Sequence, residues 1–226
     1  MFFRTQVHDS FGDRKLILLI SSAIIEDIRR MQESRSADSV LVVYYYFDFK
    51  DAAKRDTRGL LTSILLQLAD DSDRCCDLLS QLHKRCHDGS EQPSEAALAR
   101  CLKNMLDLPG QLPTYIIIDA IDECPNNTGT PSAREKVLSF VEDLVQSNHL
   151  NLFLCITSRP EHDITTILNP LTPPSRRVSL HEEVGQRRDI DSYVRSFVQT
   201  DRAMRRWRAE DKEIVINVLS ERANGM

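Results

Sequence analysis

Residues 115–124, YIIIDAIDEC, decide the fold of this 226-residue chain. A short apolar run ends abruptly in Asp119, and Asp122 and Glu123 follow within a few residues. A continuous apolar run of this length is typical of a strand that is buried on both faces of a parallel sheet. Ligands bind at the carboxyl ends of the strands in such sheets. The stretch therefore predicts an interior strand with a functional site at its end.

Alternating strand and helix patterns extend this prediction to an α/β layered fold. Further strands are predicted over residues 40–49, 152–157 and 177–180, and residues 2–7 are a weaker candidate for a first strand. Helices are predicted over residues 21–31, 58–69, 95–108 (with Ser94 as N-cap), 134–146, 189–199 and 211–223. The proline-rich residues 170–174 predict a boundary between a core, residues 1–174, and the start of a helical subdomain, residues 175–226.

Composition excludes several classes of protein. The chain is 41% apolar and 28% charged, which is an ordinary globular mixture, and its net charge of −5 argues against a general nucleic-acid binder. No apolar run approaches the roughly 18 residues that span a bilayer, so we expect no membrane association. Arginines surround Trp207, but flanking acidic residues favour a solvated helix edge with Trp207 packed inward over a nucleic-acid surface. These arginines are Arg202, Arg205, Arg206 and Arg208.

The six cysteines show no spacing typical of a disulfide framework. Because no signal peptide is recognisable, we interpret them as reduced thiols and expect a cytoplasmic protein. A zinc site is an alternative for one cluster, although the cluster lacks a paired CxxC and its helical pattern favours an exposed helix surface. The cluster comprises Cys75, Cys76, His83, Cys86 and His87.

The three carboxylates after the Asp-ended strand predict metal and phosphate chemistry. Asp119 is placed to hold Mg²⁺ against nucleotide phosphates, directly or through water. Glu123 is placed to orient or deprotonate an attacking water, and Asp122 to support the metal shell. The alternative interpretation is a solvated acidic loop.

Arg159 follows the next predicted strand, in the sequence TSRP at residues 157–160. An arginine at the end of a neighbouring strand points into the same crevice, and its guanidinium suits a terminal phosphate. Considered alone, Arg159 would be interpreted as a charged residue on the protein surface. Taken with Asp119, it is a candidate phosphate sensor.

YIIIDAIDEC and the later LFLCITSRPEHDI, residues 152–164, resemble the NACHT-type signalling NTPases of the STAND class. The similarity is greatest to the nephrocystin-3-like N-terminal domains of fungal proteins, through residues 42–68 and 179–194 as well. The resemblance implies a P-loop-NTPase-like parallel sheet, a nucleotide switch in signal transduction, and Mg²⁺ with ATP or GTP as cofactors. It also implies that Asp119 and Glu123 are the Walker B metal and catalytic acids and that Arg159 is the sensor arginine.

The phosphate-binding loop of such proteins, GxxxxGK[ST], is missing from the sequence. Leu16, Ile17 and Leu18 occupy the places of its Gly, Lys and Ser, and no Gly-Lys-Ser/Thr occurs anywhere. We therefore expect no efficient NTP turnover by the chain as given. Its last residues, ERANGM, resemble a helix end of the family cut within a motif, which favours a truncated chain over a degenerate NTPase. The alternative function is a non-catalytic module that binds protein partners or associates with itself.

Overall fold

Five strands form one parallel sheet in the part of the chain that the structure describes. The structure is a computed structural model, and it describes residues 3–6, 21–30, 40–127, 129–179, 184–201 and 203–222. The strands are β1 (Phe3–Gln6), β2 (Leu41–Tyr46), β3 (Thr114–Asp119), β4 (Leu152–Ser158) and β5 (Arg177–Ser179). Their order across the sheet is β2-β3-β4-β1-β5, and every pairing is parallel. The predicted α/β fold with a parallel sheet is confirmed.

Strand β1 lies between β4 and β5, although its sequence, FRTQ, is barely apolar. Its pairing aligns Phe3 with Cys155 on one side and Arg4 with Arg177 on the other. The backbone groups of β4 and β5 that face inward therefore find partners in β1, as buried backbone groups must. The weak first strand of the sequence is thus the one that joins the two parts of the sheet.

Eight α-helices accompany the sheet among the described residues. They are α1 (residues 21–30), α2 (Thr57–Asp71), α3 (Asp73–Arg85), α4 (Glu95–Leu106), α5 (Ala133–Gln146), α6 (His162–Leu171), α7 (Val184–Thr200) and α8 (Ala209–Arg222). All six predicted helices are present, and the Ser94 side chain accepts a hydrogen bond from the Ala97 N–H, as an N-cap does. Helices α3 and α6 are additions to these six. Helix α3 contains most of the cysteine cluster, whose helical pattern favoured an exposed helix surface, and Pro170, predicted to lie at a boundary, is in the last turn of α6.

The sheet is covered on both faces. Ile116 and Ile118 of β3 contribute to the larger core, which also contains apolar side chains of α2, α4, α5 and α6. Ile117 points the other way and packs with Ile25 and Ile28 of α1. The alternation along β3 explains why its sequence is apolar at every position rather than at every second one.

Strand β2 is an edge strand, and a side chain satisfies its outer backbone groups. The Gln67 amide of α2 accepts a hydrogen bond from the Tyr44 N–H at 3.0 Å and donates one to the Tyr44 carbonyl at 2.8 Å. This amide takes the place of a neighbouring strand at one residue. It reduces the tendency of an exposed edge to pair with another chain.

Helices α7 and α8 pack on each other at the C-terminal end of the described chain. Trp207, in the connection between them, is 45% exposed, so the prediction that it packs inward is wrong. Arg202 and the side chain of Arg205 lie outside the described residues, and so do the segments at residues 7–20 and 223–226. No helix among the described residues is long and apolar enough to span a bilayer. The division of the chain at residue 174 stays a prediction.

The connection from β2 to α2 packs tightly against its neighbours. The Tyr45 hydroxyl donates a hydrogen bond to the Ala53 carbonyl at 3.3 Å. A Cβ atom on Gly59 would lie 2.2 Å from the same carbonyl oxygen and 2.6 Å from the Tyr45 hydroxyl. Glycine at this position therefore allows the first turn of α2 to approach residues 52–54.

We predict that Gly59→Ala destabilises the protein, although alanine is favoured over glycine by about 1 kcal/mol inside a helix. The added methyl group must displace a backbone carbonyl, and overpacking of this kind costs about 1–3 kcal/mol. Chemical denaturation should show a net loss of about 1 kcal/mol. Thr62→Ala, at an exposed position of the same helix, is the control and should change stability by less than about 0.5 kcal/mol. An unchanged or raised stability of Gly59→Ala would contradict this packing.

Candidate functional site

The site is centred on Asp119, the last residue of β3, which is only 2% exposed. Its Oδ1 atom accepts a hydrogen bond from the Thr157 hydroxyl at 2.5 Å and another from the Ser21 hydroxyl. Thr157 belongs to the neighbouring strand β4, and Ser21 belongs to α1 on the other side of the sheet. A buried carboxylate is costly without such donors, so these two hydroxyl groups are what allows an acid at the end of an apolar strand.

Ala120 turns the chain sharply after Asp119. Its backbone is left-handed, with φ 55° and ψ 50°, a conformation that costs a residue with a side chain roughly 1 kcal/mol or more. The Ala120 N–H donates a hydrogen bond to the Thr157 hydroxyl at 3.0 Å. Thr157 therefore fixes both the carboxylate of Asp119 and the turn that follows it.

Asp122 and Arg159 form a pair across the ends of β3 and β4. The Arg159 N–H donates a hydrogen bond to the Asp122 Oδ1 atom at 3.0 Å, and the Arg159 Nε atom lies 3.3 Å from the Asp122 Oδ2 atom. The Asp122 side chain is only 6% exposed. Burial raises the pKa of the Asp122 carboxyl, while the hydrogen bond from the Arg159 backbone and the Arg159 charge oppose that rise.

Arg134 braces the loop that carries these acids, and nothing in the sequence analysis assigns it a role. It is 5% exposed, on the first turn of α5. Its guanidinium donates hydrogen bonds to the carbonyls of Asp122 at 2.5 Å and Cys124 at 2.8 Å. It also pairs with Glu161, and with Asp163 at 3.3 Å. The acidic loop is thereby attached to both α5 and the start of α6.

A cavity of about 310 Å³ opens at this edge of the sheet. Glu123 lies on its wall, and the Glu123 Oε2 atom accepts a hydrogen bond from the Phe49 N–H at 3.2 Å. The residues lining the cavity come from the ends of β2, β3 and β4. They are Tyr46, Phe47, Asp48, Lys50, Lys54, Asp119, Ala120, Asp122, Glu123 and Arg159.

The predicted site residues therefore lie together, as parallel strands require. Asp119, Asp122, Glu123 and Arg159 all line the same cavity. Asp122 is paired with Arg159, while Asp119 is held by hydroxyl groups. The roles predicted for these four residues in metal binding and catalysis stay predictions. Leu16, Ile17 and Leu18, the places of the missing phosphate loop, lie outside the described residues.

Three residues of the site were missed by sequence reasoning: Ser21, Thr157 and Arg134. Arg134 carried a usable signal, since it precedes Val137 and Leu138 by three and four residues and so lies on the apolar face of α5. Thr157 follows the apolar run of β4 beside the end of β3. Ser21 gave no signal, because its contact with Asp119 joins residues 98 positions apart.

The oxygen donors at Asp119 fit a Mg²⁺ ion of the kind that is held by one carboxylate, hydroxyl groups, water and phosphate oxygens. In the described part of the chain, no three His, Cys, Asp or Glu side chains are grouped to hold a metal ion. The cysteine cluster, which lies in and just after α3, forms no such group. All six cysteines are free thiols, as predicted.

Burial raises the pKa of the Asp119 carboxyl above its usual value. The hydroxyl groups of Ser21 and Thr157 oppose this rise, and the nearby charges of Asp122 and Glu123 add to it. The folded protein thus holds the Asp119 proton more tightly than the unfolded chain does. Between the pKa of Asp119 in the unfolded chain and its higher pKa in the folded protein, this group lowers the free energy of unfolding as the pH rises.

We predict that Arg134→Met lowers the free energy of unfolding by about 2–4 kcal/mol. Methionine fills similar space but removes the Arg134 donor from two carbonyl groups and from the Glu161 carboxylate. Asp163 also loses its contact with Arg134 but keeps the hydrogen bond from Asn126. Lys136→Met, at an exposed position of the same helix, is the matched control and should have little effect. Urea denaturation of both variants measures the difference. Equal free energies of unfolding for Arg134→Met and the wild type would contradict a stabilising role of the Arg134 contacts.

We also predict that Asp119→Asn gains stability over the wild type as the pH rises from about 4, the usual value for Asp, through the raised pKa of Asp119. Asparagine can still accept the hydrogen bonds from Ser21 and Thr157 but carries no charge to bury. Thermal unfolding at several pH values, in buffer with a chelator, measures the gain. Asp77→Asn, exposed on α3, controls for the loss of one negative charge. A gain that is independent of pH would contradict the burial of a charge at Asp119.

Comparison with known proteins identifies the family. A comparison with curated proteins finds no match. The family described as "Nephrocystin 3, N-terminal" matches residues 18–159, which include α1, the strands β2 to β4 and all four predicted site residues. Since the match covers more than half of the 226 residues, the chain belongs to the nephrocystin 3 N-terminal family.

Proposed function

We propose that this chain is a signalling module of the NACHT/STAND type that binds a Mg²⁺–nucleotide, ATP or GTP, at the carboxyl ends of β2, β3 and β4. The observation that carries the proposal is the cavity in which Asp119, Glu123 and Arg159 meet. Carboxylates and an arginine at adjacent strand ends form the arrangement that phosphate-binding α/β proteins use. Membership of the nephrocystin 3 N-terminal family supports a signalling role.

Each residue of the site has a role in this proposal. Asp119, as a Walker B acid, would hold the ion through its carboxylate, whose Oδ1 atom now accepts both hydroxyl hydrogen bonds. When bound, Mg²⁺ neutralises charge on the phosphate oxygens. Glu123 is exposed to the cavity and is placed to orient a water molecule. Arg159 would meet the terminal phosphate by exchanging part of its contact with Asp122.

The proposal is binding rather than efficient turnover. The sequence contains no Gly-Lys-Ser/Thr, so the backbone cradle and lysine that usually hold the β- and γ-phosphates have no counterpart in it. Each lost charge-assisted hydrogen bond weakens binding by about 1.5–3 kcal/mol. We therefore expect the chain to bind the nucleotide more weakly than a site with a complete phosphate-binding loop would, and to hydrolyse it slowly or not at all.

A second candidate is a non-catalytic module that binds a protein partner or a second copy of the chain. Two observations favour it. The acids have internal partners, since Asp119 bonds to hydroxyl groups and Asp122 pairs with Arg159. Large apolar side chains are also exposed along α7, α8 and their connection, which is typical of interaction surfaces. They are Tyr193, Phe197, Trp207, Ile214, Val218 and Leu219.

Isothermal titration calorimetry with Mg²⁺–ATP and Mg²⁺–GTP decides between the two. The first candidate predicts that the purified chain binds at least one of them, and that Asp119→Asn weakens binding about tenfold or more, because one charged ligand is lost. Asp77→Asn should bind like the wild type. Circular dichroism and thermal unfolding confirm that each variant is folded.

No binding by the folded wild-type chain at millimolar nucleotide would contradict the first candidate and favour the second. Binding that Asp119→Asn leaves unchanged would place the nucleotide elsewhere. In either case, the acids at the end of β3 would have a structural role, as hydrogen-bonded parts of the loop that Arg134 holds.

A further inference from the structure

Two lysines line the candidate cavity together with its acids. Lys50 and Lys54 follow β2, and both line the cavity with Asp119, Glu123 and Arg159. Strand β2 pairs with β3 so that Tyr46 is opposite Asp119, and the chain after β2 therefore continues beside the acidic loop. The β2 side of the cavity thus carries two lysines and Asp48, and the β3 side carries Asp119, Asp122 and Glu123.

The turn that carries these lysines is built by its own hydrogen bonds. The Asp48 N–H donates to the Lys54 carbonyl at 3.2 Å, which closes the turn. The Asp48 carboxylate accepts from the Lys50 N–H at 2.9 Å, and the Asp51 carboxylate accepts from the Ala53 N–H at 3.0 Å. With the Tyr45 hydroxyl on the Ala53 carbonyl, these bonds hold the backbone at both lysines independently of the lysine side chains.

The side chains of the two lysines make only weak interactions inside the protein. The Lys54 Nζ atom lies 3.8 Å from an Asp51 oxygen, and both side chains are about half exposed, at 52% and 44%. The Lys50 Nζ atom lies 5.6 Å from the centroid of the Phe49 ring, which is itself on the surface. Exposed pairs of this kind contribute roughly 0–1 kcal/mol, so either ammonium group can turn to an anion at little cost.

Arg159, the other cation among the described residues that line the cavity, already contacts an acid. Arg159 contacts Asp122 through both its backbone N–H and its Nε atom, and the Asp122 side chain is almost completely buried. A phosphate that relied on Arg159 alone would compete with this pair. Neither lysine side chain makes a comparable contact. The sequence contains no Gly-Lys-Ser/Thr that would supply the lysine of a phosphate-binding loop.

We propose that Lys50 and Lys54 bind the terminal phosphates of the nucleotide in this chain, beside the contact proposed for Arg159. The inference rests on the proposed function and adds the position of its cations, in the turn after β2 rather than in a glycine-rich loop before α1. The ligand class is a nucleoside di- or triphosphate whose phosphate chain lies between this turn and Asp119. Because ammonium groups act as point charges, we expect little preference for the base from these contacts.

The test measures binding of Mg²⁺–ATP, Mg²⁺–GTP and Mg²⁺–tripolyphosphate to wild type, Lys50→Gln, Lys54→Gln and the double variant. Each single variant should bind about tenfold more weakly, by loss of one charge-assisted contact. The double variant should bind with a weaker salt dependence than the wild type, since screening acts on exposed charges. Lys54→Arg, which keeps the charge, should recover most of the affinity. Lys136→Gln, exposed on α5, is the matched control.

Wild-type binding that persists unchanged in the double variant would overturn this inference and leave the proposed function standing. Nucleotide binding without tripolyphosphate binding would also overturn it, because the lysines would then not be recognising phosphate. Absence of all binding by the folded wild type would overturn both. Thermal unfolding should be unchanged in every lysine variant, since the turn depends on backbone and aspartate contacts.

Discussion

The candidate site depends on one costly arrangement, a carboxylate buried at the end of an apolar strand. Asp119 is almost inaccessible to solvent, and the hydroxyl groups of Thr157 and Ser21 satisfy its Oδ1 atom. These two residues come from β4 and α1. The buried carboxylate therefore has its hydrogen-bond donors only when β4 and α1 are packed beside β3. Perturbed carboxylates of this kind cluster at functional sites, which supports Asp119 as the centre of the proposed site.

The surrounding loops follow from that arrangement. The left-handed turn at Ala120 redirects the chain over the sheet edge, and Arg134 then binds two carbonyl groups of the loop and two acids beside α6. Asp122 is consequently directed toward Arg159 rather than toward solvent. The acidic loop is a braced element, and its geometry is set before any ligand arrives. Preorganisation of this kind lowers the cost of binding.

The sequence predicted the parts that local patterns encode. Apolar runs located β2, β3 and β4, helical spacing located six helices, and the strand-end rule brought Asp119 together with Arg159. The remaining parts depend on contacts between distant residues, which a single sequence does not display. Ser21 meets Asp119 across 98 residues, and Pro170 indicated a loop where packing of Ile164 and Leu168 maintains α6. Trp207 was expected to pack inward because flanking acidic residues favoured a solvated helix edge over a nucleic-acid surface, yet its side chain is exposed.

The most direct test of the account is to locate the metal. Crystals grown with Mn²⁺, as a substitute for Mg²⁺, and a non-hydrolysable nucleotide would show the ion by anomalous scattering. We expect an ion coordinated by Asp119, directly or through one water, with phosphate oxygens on its cavity side. An ion bound at another position, or a fully occupied nucleotide with its phosphates away from Asp119, would contradict the claim that this buried carboxylate is the centre of the site.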